Sequence, residues 1–181
     1  IIYTLKRLEL RNAIPDIPVY VDSPLTVNIT EIFRLHTDSY DKEFQQLMYE
    51  AGDPFQLRNI RYIRLLSESM QLNSLQGPAM IIAAAGMCEH GRIVHHLKNN
   101  VEDPHNIVLI VGFQANHTLG RRIVERQREL KILGVKRQLN AQVKVLNEFS
   151  AHAGHSELVE FGARFKDSAE KVLLVHGEPE P

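Results

Sequence analysis

The chain has 181 residues, of which 44% are hydrophobic, and its formal net charge is −1 at pH 7. This length and apolar content fit one large or two small domains with a buried core, and they exclude wholesale disorder. The balanced charge excludes a uniformly basic protein, so any nucleic-acid-binding surface must be local.

Helices and strands alternate along the predicted chain. Apolar periodicity predicts helices over residues 1–12, 25–36, 39–51, 67–77, 90–100, 118–130 and 156–165. Apolar runs predict strands over residues 19–21, 61–66, 79–84, 106–111, 142–149 and 171–175. The strands at 79–84 and 106–111 are apolar throughout, as is typical of strands buried on both faces. This alternation predicts an α/β fold with a mostly parallel sheet and helices on both faces.

Four further features of the sequence bear on domain organisation and location. Residues 134–141 form a polar break that is expected to mark a boundary between two sheets. Cys88 is the single cysteine, which excludes an internal disulfide framework and favours a reducing, cytoplasmic location. The longest apolar stretch, residues 78–88, is too short to cross a membrane. The abrupt termini, without an initiator methionine, indicate a piece of a longer protein.

Ligands of open parallel sheets bind beyond the carboxyl ends of the strands, which selects five turns at residues 22–23, 85–87, 112–114, 150–152 and 176–178. His152 and His176 lie in the last two turns, 24 positions apart, with room between them for a helix and a second strand. If these strands are neighbours, their ends lie about 5 Å apart. The two imidazoles could then serve a metal and a phosphate, or each could be a hydrogen-bonded turn histidine.

A local basic segment runs from residue 121 to residue 137, with seven basic and two acidic side chains. Most of these side chains are expected on a solvated helix face. Arg121 and Arg122 differ because they follow Thr118, a predicted N-cap, and the start of a helix favours phosphate. The chain has neither a Walker A motif nor a G-x-G-x-x-G pattern, so a nucleotide cofactor has little support.

Five ordered segments carry a resemblance to a known family. They are residues 19–25 (VYVDSPL), 86–92 (GMCEHGR), 111–122 (VGFQANHTLGRR), 149–152 (FSAH) and 175–178 (VHGE). The first three resemble the β-CASP insertion of RNA-processing nucleases with a metallo-β-lactamase fold, and the last two resemble motifs B and C of that family. The resemblance is closest to prokaryotic relatives of RNase J and of the cleavage and polyadenylation endonuclease subunit.

The resemblance implies a domain organisation and an activity. Residues 1–134 would form a β-CASP domain, and residues 135–181 the C-terminal βαβ strands of a metallo-β-lactamase domain whose main part is absent from this chain. The complete enzyme would hydrolyse RNA phosphodiester bonds with two zinc ions, in RNA processing or decay. The last strand would lack its sheet partners, which favours either a homodimer or local disorder.

The resemblance also implies roles for single residues. His176 matches a zinc ligand, and His152 matches the motif B histidine, for which the resemblance implies a role as general acid or in orienting the leaving group. The elements that face RNA or its phosphates match Ser23, Gly86, Met87, Arg92, Gln114, Thr118, Arg121 and Arg122.

Two departures from the family pattern bear on activity. The H-x-H-x-D-H metal motif is absent, and one histidine cannot hold two zinc ions, so this chain alone is expected to bind zinc poorly and to be inactive. Gly154, followed by His155, stands where the family usually has an acidic residue. A non-catalytic RNA-binding or scaffold paralogue is therefore the alternative, and an α/β binding domain unrelated to RNA is a third interpretation.

Overall fold

The computed structural model describes residues 1–147, 149 and 153–173. Within them, short 3₁₀ turns occur at Thr37–Ser39 and Leu72–Ser74. The helices are α1 (Ile2–Leu10), α2 (Pro24–Leu35), α3 (Lys42–Ala51), α4 (Leu66–Gln71), α5 (Arg92–Asn100), α6 (Leu119–Val124) and α7 (His155–Ala163). The strands are β1 (Val19–Val21), β2 (Ile60–Tyr62), β3 (Met80–Ile82), β4 (Ile107–Ile110), β5 (Glu129–Ile132), β6 (Val135–Gln138) and β7 (Gln142–Val145).

The first sheet is parallel, with the strand order β2-β1-β3. Successive side chains of β1 point to opposite faces, so Val19 and Val21 pack with Leu5 of α1, whereas Tyr20 packs with Leu72 on the other side. Both faces of the central strand are therefore covered. The predicted α/β class with a parallel sheet is confirmed.

The second sheet pairs β4 with β7 in parallel, with Ile110 opposite Val145. Val143 and Ile110 point into a core that α5 and α6 complete with side chains such as Leu97 and Ile123. On the outer face, Ile107 is 60% exposed and Leu109 is 47% exposed. The prediction that β4 is buried on both faces was therefore wrong for the described part of the chain. The half-buried β3 does pack on both faces, with Met80 and Ile82 on one side and Ile81 on the other. An apolar run shows that a strand can be covered, but not whether both faces are.

A β-hairpin replaces the end of the predicted helix 118–130 and the predicted polar break at 134–141. Helix α6 ends at Val124, and β5 and β6 pair antiparallel around Leu133 and Gly134. Both turn residues have positive φ angles, 49° and 79°, as a two-residue hairpin turn requires. Leu130 and Ile132 are fully buried in the core. An alternation that involves only these two buried residues is too short to distinguish a strand from a continuation of the preceding helix.

The chain divides into two compact units, residues 1–149 and residues 150–181, which are described separately. In the second unit, α7 carries Phe161, and Phe165 lies in the turn that follows the helix. Their ring centroids lie 5.2 Å apart in an edge-to-face contact. Residues 171–173 of the strand predicted at 171–175 are not in a strand, and the rest lie outside the described residues. The domain boundary predicted between residues 134 and 135 stays a prediction.

None of the helices that the structure describes is both long and apolar enough to cross a membrane.

The hairpin turn makes a prediction for Gly134. Because its φ is +79°, we expect Gly134→Ala to lower the free energy of unfolding by about 1–2 kcal/mol, the cost of a left-handed conformation for a residue with a Cβ. Leu133→Asn is the matched control, since asparagine tolerates this region, and it should leave the stability unchanged or raised. Urea unfolding followed by circular dichroism measures both. Equal stability of Gly134→Ala and wild type would contradict the assigned turn.

Candidate functional site

A buried carboxylate, Asp22, follows β1 at the carboxyl edge of the first sheet. Its side chain is fully buried, and it accepts hydrogen bonds from Ser69 Oγ at 2.6 Å, Arg92 Nη1 at 2.5 Å and His96 Nε2 at 2.6 Å. The Arg92 guanidinium also donates to the carbonyl oxygens of Ile63, at 3.2 Å, and Arg64, at 2.7 Å. These bonds join the ends of β1 and β2 to α4 and α5.

The charge state of Asp22 follows from its partners. Burial alone would raise the pKa of Asp22, but hydrogen bonds from Ser69, and then from His96 and Arg92, outweigh burial and hold that pKa below its ordinary value. Asp22 is therefore ionised at neutral pH and can only accept hydrogen bonds, so His96 must donate from Nε2. The other ring nitrogen, Nδ1, is buried without a hydrogen-bond partner in the described structure.

Helix α2 begins directly after this carboxylate because Ser23 caps it. The Ser23 hydroxyl accepts a hydrogen bond from the Thr26 amide at 3.2 Å, and Pro24 occupies the first turn, where its missing N–H costs nothing. Ser23 is 5% exposed. The structure thus shows Ser23 as a helix cap, and its predicted contact with RNA stays a prediction.

The turn after β3, residues 85–91, has an unusual backbone. Ala85, Cys88 and Gly91 all have positive φ angles, of 78°, 59° and 76°. Gly86 is exposed and Met87 is half-buried. The thiol of Cys88 is buried. Burial, with a smaller contribution from the negative charge of the neighbouring Glu89, raises the pKa of this thiol to about 11. Cys88 is therefore a packed turn residue and not an activated nucleophile.

The loop after β4, residues 112–118, lies against this turn. The Ala115 amide donates to Met87 Sδ at 3.2 Å, and the Gly120 amide donates to the Met87 carbonyl at 3.0 Å. The Leu119 amide donates to the carboxylate of Glu89. The ends of β3 and β4 therefore meet, although the two strands belong to different sheets.

Helix α6 starts from this loop, and Thr118 is its N-cap, as predicted. The Thr118 hydroxyl accepts a hydrogen bond from the Arg121 amide at 3.1 Å. The Arg121 side chain pairs with Glu125 at 2.7 Å, and Arg122 Nη2 donates to the His117 carbonyl at 3.4 Å. Both guanidinium groups remain partly exposed at this edge.

The predicted RNA-facing residues fall into two groups in the structure. Gly86, Met87, Thr118, Arg121 and Arg122 come together where the turn 85–91 meets the loop 112–118. Within unit 1 the remaining predicted side chains, Ser23, Arg92 and Gln114, are largely buried and engaged with protein atoms. Their contacts with RNA stay predictions.

Sequence reasoning placed Asp22 in a candidate ligand turn without giving it a role, and it missed its partners Ser69 and His96. For His96 the signal was its position on the apolar side of α5, between the buried Val94 and Leu97. For Asp22 and Ser69 the partners are 47 residues apart in the chain, so no local pattern joins them.

The two predicted chemical residues, His152 and His176, lie outside the described residues. Among the residues that the structure does describe, no group of three or more His, Cys, Asp or Glu side chains could hold a metal ion. The described part of this chain therefore does not fit a zinc site by itself.

The geometry defines the class of the protein: an α/β domain that gathers the buried Asp22 cluster, a strained turn and basic side chains around the carboxyl ends of parallel strands. Residues 1–123 match the Beta-Casp domain, and residues 136–180 match the Zn-dependent metallo-hydrolase RNA specificity domain. The chain belongs to the β-CASP family.

Named relatives agree with this assignment. Ribonuclease TTHA0252 of Thermus thermophilus is 34% identical over 167 residues, which cover 92% of this chain and 38% of that protein. Transcription termination factor FttA of Methanocaldococcus jannaschii is 31% identical, over 89% of this chain and 26% of that protein. An RNase J-like protein of the same organism is 28% identical, over 90% and 36%. The chain thus spans well under half the length of these relatives.

The Asp22 cluster makes a pH-dependent prediction. Folding lowers the pKa of Asp22 below its value in the unfolded chain, about 3.9. The ionised carboxylate therefore stabilises the fold fully at pH values above about 3.9. This contribution is lost as the pH falls through the lower folded-state pKa. We expect Asp22→Asn to cost about 3–5 kcal/mol at pH 7, because it leaves the Arg92 charge uncompensated. The stability gap between wild type and variant should narrow below about pH 4.

Asp41→Asn is the control for this prediction. The Asp41 side chain caps α3 by accepting from the Phe44 amide at 2.8 Å, and asparagine caps a helix equally well. Urea unfolding at several pH values measures both variants. A small loss of unfolding free energy in Asp22→Asn, or a loss that is the same at pH 7 and below about pH 4, would refute the ionised state of Asp22 in this cluster.

Proposed function

We propose that the chain is the RNA-facing and downstream active-site part of a zinc-dependent ribonuclease that hydrolyses RNA phosphodiester bonds. The observation that carries the proposal is the order of the two matched domains, Beta-Casp followed by the RNA specificity domain of a Zn-dependent metallo-hydrolase. The names of two relatives, a ribonuclease and an RNase J-like protein, support the same activity.

The basic edge of the first unit supports RNA as the partner. The net charge of the chain is −1, so attraction for a polyanion must come from a local surface. Arg121 and Arg122 supply such charge beside the exposed backbone of the turn at Gly86. Guanidinium groups bind phosphate oxygens well because their donors match that geometry.

The chemical residues of the proposal lie in the last part of the chain. His176 would contribute one ligand to a site for two zinc ions whose other ligands lie upstream of this chain. His152 would donate a proton to the leaving oxygen, a role that suits an imidazole near neutral pH. A cytoplasmic location and self-association through the last strand belong to the same proposal.

A non-catalytic RNA-binding or scaffold protein of the same family is the second candidate. Gly154 and His155 favour it, because an acidic residue is expected near motif B in an active enzyme. The upstream sequence separates the two candidates. An intact H-x-H-x-D-H motif would support the enzyme, and its absence from the gene would exclude it.

The RNA interface predicts a change in salt dependence. If Arg121 and Arg122 each contact a phosphate, Arg121→Ala/Arg122→Ala should reduce the slope of log K against log salt by about 1.4, or 0.7 per contact with a single strand. Arg11→Ala/Arg58→Ala is the charge-matched control, because these arginines lie in segments that lead into the amino ends of β1 and β2. Fluorescence anisotropy with a short single-stranded RNA measures both. Equal slopes for the two double variants would refute the interface.

The two histidines predict separable defects in the full-length parent. We expect His176→Ala to lower the zinc content and to abolish cleavage, and His152→Ala to keep its zinc but to cleave RNA roughly 10²–10⁴-fold more slowly, the usual contribution of a general acid. His95→Ala, an exposed histidine of α5, is the control. Metal analysis and an RNA-cleavage assay measure all three. Unchanged zinc in His176→Ala, or wild-type turnover in His152→Ala, would contradict the assigned roles.

A further inference from the structure

The buried amide of Gln114 has one unsatisfied end. Gln114 is 6% exposed, and its Nε2 donates to the carbonyl oxygens of Gly112 at 3.3 Å and Phe113 at 2.9 Å. These two acceptors fix the amide orientation, because a flipped amide would turn its oxygen toward them. Oε1 then points away from both and has no hydrogen-bond partner in the described structure. A buried acceptor without a partner is unfavourable and needs an explanation.

Gly120 lies directly against this oxygen. A Cβ at residue 120 would lie 1.7 Å from Gln114 Oε1, 2.7 Å from Gln114 Cδ and 3.1 Å from the Met87 carbonyl oxygen. No other residue type fits this position without displacing the Gln114 side chain. Since the Gly120 amide also donates to the Met87 carbonyl, residue 120 contacts the loop 112–118 and the turn 85–91 at once.

Both segments that meet here hold strained backbone. Ala85 and Cys88 in the turn, and His117 in the loop, have φ angles of 78°, 59° and 67°, which are unfavourable for residues with a Cβ. Such angles persist where the surrounding structure over-determines them, and they cluster at functional sites. The Gln114–Gly120 contact, the bond from the Leu119 amide to Glu89, and the bonds from the Ala115 and Gly120 amides to Met87 constrain these segments.

We propose that Gln114 is a positioning residue, and that Gln114, Gly120 and Met87 form a positioning lock that holds Arg121 and Arg122 in the geometry that binds RNA. Gln114 acts through its packing on Gly120 and not by touching the RNA. The lock sets where α6 begins relative to the turn 85–91, and so where the two guanidinium groups lie. The RNA-binding half of this inference rests on the proposed function, whereas the lock itself rests on the contacts within unit 1.

Four variants test the lock. Gly120→Ala introduces the clash, and Gly120→Ala/Gln114→Ala removes both Gln114 atoms that cause the closest contacts. Gln114→Ala opens the lock without a clash, so it replaces Gly120→Ala if that variant does not fold. Gly112→Ala is the matched control in the same loop, because a Cβ there meets nothing within 4 Å and φ is not positive.

The first measurement uses Cys88, which lies in the turn and is 4% exposed. A thiol with a pKa of about 11 reacts slowly with iodoacetamide at pH 8 unless the turn opens. In the full-length parent, mass spectrometry of the Cys88 peptide should show labelling on the order of 10-fold faster in Gly120→Ala or Gln114→Ala than in wild type. Because the double variant also lacks the Gln114 side chain, it should label no more slowly than Gln114→Ala, and Gly112→Ala should match wild type.

The second measurement uses a short single-stranded RNA with the same full-length variants. Gly120→Ala should raise the Kd and the KM roughly 10-fold and lower the salt slope by about 1.4, with kcat within about twofold of wild type, because binding and not chemistry is impaired. Gln114→Ala should change the Kd in the same direction, and the double variant should bind RNA no more tightly than Gln114→Ala alone.

The outcomes separate the lock from the proposed function. Unchanged Cys88 labelling in a folded Gly120→Ala protein would overturn the lock. Faster labelling with unchanged affinity and salt slope would overturn the positioning role. If the wild-type parent binds no RNA at all, the proposed function and the RNA-binding half of the inference both fail, and the labelling rates still decide whether the lock exists.

Discussion

The ionised carboxylate of Asp22, buried at the end of the central strand, is the interaction on which the arrangement of the first sheet depends. A buried charge is costly unless partners compensate it, and Asp22 is compensated by side chains of α4 and α5. Those partners fix where both helices lie relative to β1. Arg92 extends the constraint to the carbonyls that follow β2, so the carboxyl edge is held by one connected set of hydrogen bonds.

At this edge of the sheet, the hydrogen-bonded Asp22 cluster lies next to a turn with strained backbone. The Asp22 cluster holds the start of α5, and the turn 85–91 immediately before it carries several residues with positive φ. The loop 112–118 closes on that turn through Met87 and Gly120. For the proposed contact with RNA, such preorganisation would favour affinity, since ordering the site at the moment of binding would weaken it. The residues of this edge all lie within the part of the chain that matches the Beta-Casp domain.

Local signals were the reliable part of the sequence reading. Thr118 was recognised as a helix cap because a hydroxyl before an apolar helical pattern satisfies free amide groups, and the structure confirms it. The parallel α/β class followed from alternating elements. The hairpin β5–β6 was missed because Leu130 and Ile132 fit the end of a helical pattern, and the turn at Leu133 and Gly134 lacks the usual Asn-Gly signal. The outer face of β4 was misjudged because an apolar run does not reveal what covers it.

The sequence by itself determined the alternation of elements, the family motifs and the residue types gathered beyond the strands, since each depends on neighbours within a few positions of the chain. Only the tertiary structure decided that Asp22 meets Ser69, Arg92 and His96, and that the Gln114 amide packs on Gly120. The Asp22 contacts depend on burial and join segments that are distant in the chain, and the contact of Gln114 with Gly120, although local in sequence, depends on how the loop 112–118 packs against the start of α6. Dielectric environment and steric fit are properties of the packed chain, and no local pattern encodes them.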